Sequence, residues 1–151
     1  MNEEFLIHID GKMEQQGEWD HVDLLTRGSL VQKGSNFFIS YQESDATGYA
    51  GCTTTVKAAA DSHKVTMIRF GSAASQLIIE KGTRHVCHYE TGHGSLSLGV
   101  AADTIENNLT PEGGTLSFSY TLDADQDTVL SRNLVTIHVR RAQPNSESAP
   151  L

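Results

Sequence analysis

The sequence has little positive charge, and its basic residues are scattered. It contains 11 lysines and arginines against 19 aspartates and glutamates, so the formal net charge is −8. Arg140-Arg141 is the one adjacent basic pair, and no longer basic run occurs. Such a surface repels phosphate backbones and anionic lipid headgroups. The composition therefore disfavours nucleic acid and membranes as partners.

Long apolar runs are absent as well. No stretch approaches the roughly 18 consecutive apolar residues of a membrane-spanning helix. The first residues, Met1-Asn2-Glu3-Glu4, lack the basic segment and the apolar stretch of a secretory signal. We therefore expect a cytoplasmic protein in which Cys52 and Cys87 stay reduced thiols.

Helical periodicity is also missing. The alanine clusters at 58–60 and 101–102 are too short to nucleate a helix. Instead, short runs alternate apolar and polar residues and are separated by turn residues, which is typical of β-strands. The clearest runs are 96–102 and 116–122, where every second residue is apolar or aromatic. Near the start of the chain, Asp10-Gly11 predicts a hairpin turn.

The alternating runs predict an all-β fold, a single antiparallel barrel of about eight to ten strands with little helix. A closed sheet avoids the exposed edges that a meander of this length would carry. The 151 residues suit one domain, and we place the barrel in residues 1–142. The segment 143–151 holds two of the three prolines and little apolar content, so we expect a disordered C-terminal tail.

Several motifs follow one another in a distinctive order. They are Phe37-Phe38-Ile39-Ser40-Tyr41, Ile68-Arg69-Phe70-Gly71, His88-Tyr89-Glu90-Thr91 before Gly94, Leu96-Ser97-Leu98 and Gly114-Thr115-Leu116-Ser117-Phe118-Ser119-Tyr120. Their order and spacing resemble the YwiB-like family of uncharacterised bacterial proteins, over roughly residues 4 to 139. The resemblance implies a calycin-like, that is lipocalin-like, barrel. It implies no reaction, cofactor or partner. This chain departs from the family at Gly92-His93, where members often carry a proline.

Possible metal ligands are most concentrated between residues 85 and 93. Zinc needs imidazole, thiolate and carboxylate groups that converge on one point. Strand alternation places His85 and Cys87 on one face and His88 and Glu90 on the other. We therefore predict no metal site and no cofactor, although the position of His93 after the strand stays open. No catalytic residue is predicted either, because nucleophile-elbow, P-loop and dinucleotide motifs are absent.

Arg69 is the most informative single residue, because it stands in an otherwise apolar strand. A guanidinium inside a barrel must be paired or must face a wet cavity, since an unpaired buried charge is costly. One interpretation is a clamp for a carboxylate or phosphate ligand. The other is an ion pair with an internal acid such as Glu80 or Glu90.

The functional hypothesis that follows is a binding barrel for a small apolar or amphipathic molecule. Its predicted lining residues are Tyr41, Arg69, His88, Phe118 and Tyr120. Two alternatives stay open. In one, side chains fill the barrel and the protein is an interaction module that acts as a homodimer. In the other, the protein is an enzyme in which His88 is the acid or base and Arg69 holds an anionic substrate. The sequence does not decide which strand faces point inward.

Overall fold

Ten β-strands make up most of the chain in the computed structural model, which describes residues 5–45, 49–72, 74–91 and 94–142. The strands are β1 (Phe5–Gln15), β2 (Glu18–Lys33), β3 (Asn36–Gln42), β4 (Thr53–Ala59), β5 (Lys64–Phe70), β6 (Ser75–Glu80), β7 (His85–Thr91), β8 (Gly94–Thr110), β9 (Gly113–Asp125) and β10 (Thr128–Arg141). None of the described segments forms a helix of the length and apolarity that crossing a membrane requires. The predicted tail, 143–151, lies outside the described residues.

The strands close into a barrel of simple order. Each strand pairs antiparallel with the next one along the chain, and β10 pairs with β1 from Phe5↔Arg141 to Glu14↔Arg132. The prediction of a single all-β antiparallel barrel is therefore confirmed, with ten strands. The shortest strand pairing is between β6 and β7, for which the register contains the single residue pair Ser75↔Tyr89.

The first hairpin turns later than predicted. Gly11 lies inside β1 and pairs with Val22 of β2, so the expectation of a turn at Asp10-Gly11 is wrong. The chain turns instead at Gln16 and Gly17, whose φ angles of 52° and 83° are both positive. Two positive φ angles define the type I′ turn, whose twist matches that of the two strands it joins.

Side chains fill much of the barrel interior. The following inward residues are 0% exposed: Ile7, Ile39, Val56, Ala58, Val65, Ile79, Val100, Leu116, Phe118 and Ile137. A side chain with no accessible surface borders neither bulk solvent nor a void large enough for water. These residues come from most of the strands and belong to one apolar cluster, so they form a packed core rather than the lining of an open lumen.

On the outer face of the barrel, Arg84 forms an ion pair with a carboxylate of a neighbouring strand. The Arg84 guanidinium reaches across β8 and donates to the Asp123 carboxylate from Nε at 3.2 Å and from Nη2 at 2.5 Å. It lies over Gly99, where an added Cβ would be 2.1 Å from Nη2. Asp123 is only 6% exposed, so this bidentate pair satisfies a buried charge.

Candidate functional site

Polar side chains meet at one end of the barrel, where β3 and β5 end and β4 and β6 begin. Backbone pairing joins Tyr41 to Thr54, Thr54 to Arg69, and Arg69 to Ser75. The same row continues through the backbone of Tyr89 to Leu96. We call the inward-facing residues Tyr41, Thr54, Arg69, Ser75 and Leu96 the mouth row. Within this row Tyr41 and Thr54 are buried, Arg69 and Ser75 are half-buried, and Leu96 is exposed.

The Arg69 guanidinium is held in place by neighbouring side chains. Its Nη1 donates to Ser75 Oγ at 3.1 Å, and its central carbon lies 3.6 Å from the centroid of the Tyr49 ring. Its Nε is buried and has no hydrogen-bond partner among the described residues. None of the ion pairs formed among the described residues includes Arg69. Within the described part of the chain, Arg69 therefore carries a positive charge without a counter-ion and one donor without an acceptor.

Glu80, one of the two acids predicted as partners of Arg69, does not supply its counter-ion. The Glu80 carboxylate is at the other end of its strand and is 2.8 Å from Nε2 of His85. That hydrogen bond lowers the pKa of Glu80. The expectation of a Glu80–Arg69 ion pair is therefore wrong. The side chain of Glu90 lies outside the described residues.

A second group of polar atoms adjoins the mouth row. Thr54 Oγ1 donates a short hydrogen bond to Glu43 Oε2, so this carboxylate is already engaged. Burial raises the pKa of the Tyr41 hydroxyl well above its usual range, and the negative charge of Glu43 raises it further. Arg69 acts on that pKa in the opposite direction. Tyr41 is therefore a neutral phenol at physiological pH.

The raised pKa of Tyr41 predicts a loss of stability in alkali. Because the folded-state pKa is above the unfolded value of 10.0, the stabilisation is complete below about pH 10 and is lost as the pH rises further. We expect the melting temperature of Tyr41→Phe to fall less than that of the wild type between about pH 9 and 12. Thermal melts followed by circular dichroism at several pH values in this range measure the two melting temperatures. Parallel pH curves for the two proteins would contradict the expectation.

The predicted ligand residues do not form one pocket. Tyr41 and Arg69 belong to the mouth row, whereas Phe118 and Tyr120 lie in the packed core, with ring centroids 6.2 Å apart. His88 is exposed, because β7 alternates and Cys87 takes the inward position.

The expectation that His88 lines the interior is therefore wrong. Its Nδ1 is 3.1 Å from Ser97 Oγ, on the outer face of β7 and β8. The enzyme hypothesis required His88 and Arg69 to open into one cavity, and this arrangement is not formed. In the described part of the chain, no three histidine, cysteine, aspartate or glutamate side chains are grouped as metal ligands. His93 lies outside that part.

Sequence reasoning missed Glu43, Thr54, Ser75 and Tyr49. Thr54 carried a signal, because it is in phase with the inward Val56 within the threonine-rich run. Tyr49 carried none, because it lies in the connection between β3 and β4 and meets Arg69 only in the folded barrel.

Comparison with known proteins agrees with this architecture. The family model DUF1934, described as a domain of unknown function, matches residues 7–137. The chain belongs to the DUF1934 family. The DUF1934 barrel is similar to the crystal structure of the YwiB protein from Bacillus subtilis, with a TM-score of 0.78 and 20% identity over 92% of each chain. The predicted resemblance to the YwiB-like family is thus confirmed. At 20% identity, the structural match shows a shared fold and nothing about activity. No protein with a curated description matches the chain.

Proposed function

We propose that this protein is a binding barrel for a small amphipathic carboxylate, whose anionic group Arg69 holds at the mouth row. The observation that carries the proposal is that the buried Nε of Arg69 has no acceptor among the residues the structure describes. Leaving such a donor unpaired costs about 1–3 kcal/mol, so an arrangement of this kind is expected to have a use.

The chemistry of Arg69 favours a planar anion. A guanidinium offers parallel N–H groups in a fixed fork, which a carboxylate accepts two at a time. Ser75 accepts from Nη1, and the Tyr49 ring covers one face of the fork. The contacts to Ser75 and Tyr49 therefore orient the group before a ligand arrives and reduce the entropy lost on binding.

The apolar part of the ligand is expected to lie across the mouth and not in the lumen. Leu96 is 56% exposed although it is in phase with the buried Leu98. It offers apolar surface on the same row as Arg69. The next layer inward includes Ile39, Val56 and Leu77, which are buried at 5% exposure or less. Deeper entry would have to displace this packed layer.

A matched pair of ligands tests the proposal. Octanoate and octanol share an alkyl chain and differ in the anionic head. Octanoate is expected to raise the melting temperature in a concentration-dependent way, because it binds only the folded barrel. Octanol is expected to have a much smaller effect, and acetate tests the head group alone. Equal shifts with octanoate and octanol, or no shift with either, would contradict the proposal.

A second candidate is the ligand-free interaction module that acts as a homodimer. Two observations favour it: the filled interior, and the outer face of β2, where Trp19, Leu25 and Val31 are 65%, 63% and 45% exposed. Polar residues separate these three side chains along the strand, and each can contribute apolar contact to a protein interface. A dimer in sedimentation experiments, together with a lack of response to octanoate, would favour this candidate over the binding barrel.

A further inference from the structure

A pocket opens on the outer surface at the end of the barrel opposite the mouth row. Its volume is about 360 Å³, within the size range of small-molecule sites. The small side chain of Ala59 lies in its wall, opposite Asn36 in the neighbouring strand. The pocket is independent of Arg69 and of the function proposed for the mouth.

Two lysines, Lys57 and Lys64, line this pocket. None of the ion pairs that the structure describes includes either of them. The Lys57 ammonium lies 5.9 Å from the centroid of the Phe38 ring, and Lys33 approaches the same ring at 5.9 Å. Three of the five lysines of a chain with net charge −8 are therefore on this part of the surface. Such a local concentration of positive charge attracts small anions.

The nearby carboxylates are engaged by histidines. Asp61 also lines the pocket, but its Oδ1 is hydrogen-bonded to the ring of His63 and accepts from the His63 backbone N–H at 3.1 Å. Glu80 is opposite Lys64 in the sheet and is hydrogen-bonded to His85. Neither carboxylate forms an ion pair with Lys57 or Lys64, although the charge of Lys64 contributes to the lowered pKa of Glu80. Both ammonium groups can therefore still bind a ligand.

The lining suits a phosphate group. A lysine ammonium is a compact point charge with three donors, and lysines commonly bind phosphate in this way. Asn36, Ser35 and Thr66 add neutral hydrogen-bonding groups, and Thr66 is opposite Lys57 in the sheet. Amides and hydroxyls match the hydroxyl groups of a sugar.

We propose that this pocket binds the phosphate monoester of a small polar metabolite, with Lys57 and Lys64 on the phosphate and the neutral groups on the remainder. A polynucleotide fits less well, because the chain's net charge of −8 repels a long polyanion while one phosphate can be held locally.

Calorimetric titration with ribose 5-phosphate, ribose and inorganic phosphate tests the proposal. Ribose 5-phosphate is expected to bind best, and the double variant Lys57→Gln/Lys64→Gln is expected to weaken it about tenfold or more, as charge-assisted hydrogen bonds are lost. Lys12→Gln is the matched control, because Lys12 is exposed on β1 outside the pocket. This control and Arg69→Met should both leave binding unchanged. Melting curves establish that each variant is folded.

Several results would overturn the proposal. One is unchanged affinity in the folded double variant, and another is equal weakening by Lys12→Gln, which would indicate a general charge effect. If ribose or inorganic phosphate bound as tightly as ribose 5-phosphate, the ligand could not be assigned as a phosphate monoester. No binding of ribose 5-phosphate at about 10 mM would remove the site altogether. Loss of binding in Arg69→Met alone would place the phosphate at the mouth row instead.

Discussion

The variant Gly28→Ala is expected to be less stable than the wild type by about 3 kcal/mol, at the upper end of what overpacking costs. Gly28 pairs with Phe5 on one side and Tyr41 on the other, at the junction of β1, β2 and β3. A Cβ there would be 2.1 Å from the Ser40 carbonyl oxygen and 2.5 Å from Ile7 Cδ1. The Ile7 side chain could shift, but Ser40 belongs to a strand that is paired on both edges, so its backbone cannot yield locally.

Thermal unfolding measures this effect, with an expected fall in the melting temperature of about 6–12 °C for a chain of this size. Gly11→Ala is the matched control. Gly11 is also inside a strand, but the nearest atom to its added Cβ is Val22 Cβ at 3.9 Å. That variant should differ from the wild type by less than about 0.5 kcal/mol, or be slightly more stable, since alanine loses less entropy on folding. Similar losses in both variants would show that the close approach at Gly28 is not the cause.

The second large effect is expected at Arg69. Arg69→Met should abolish the response to octanoate, with affinity reduced by about tenfold or more, because the charge-assisted hydrogen bonds to the ligand are lost. Its stability without ligand should stay within about 1 kcal/mol of the wild type. The variant loses the stabilising contacts of Arg69 to Ser75 and Tyr49, but it also loses the cost of burying a donor without an acceptor, so the two effects on stability offset each other.

Arg84→Met is the matched control for Arg69→Met. Arg84 holds the buried Asp123 carboxylate in a bidentate pair, so its loss leaves that charge without its partner and should destabilise the protein clearly. The octanoate response should nevertheless persist, because Arg84 is not part of the mouth row. If Arg69→Met destabilised the protein as much as Arg84→Met and kept the octanoate response, Arg69 would be structural.

Much of the fold could be predicted from alternation, because a half-buried strand imposes a period of two on its residues. Leu98 and Val100 are inward in β8, and Leu116, Phe118 and Tyr120 are inward in β9, each in phase with its run. The turn at Gln16 and Gly17 could not be predicted in this way. A local Asp-Gly signal indicated a turn, but long pairing of β1 with both β2 and β10 overrides it.

The candidate site was predictable only in part. Arg69 was conspicuous because a charge in an apolar strand needs an explanation, and the structure places it on the inner face at the barrel end. Its neighbours Ser75 and Tyr49 depend on strand register and on a loop, which alternation does not specify. The same limit explains His88. The sequence showed that it alternates with Cys87 but not which of the two points inward.

The proposed function requires an anion to bind at Arg69 above a filled interior. An NMR titration with octanoate tests it most directly, by following the side-chain Nε–H signal of Arg69 and the methyl signals of Ile7, Ile79 and Ile137, which are 0% exposed. We expect the Arg69 signal to shift with ligand concentration while these methyl signals stay in place. Shifts of the interior methyl signals with an unchanged Arg69 signal would place the ligand in the lumen and rule out binding at Arg69.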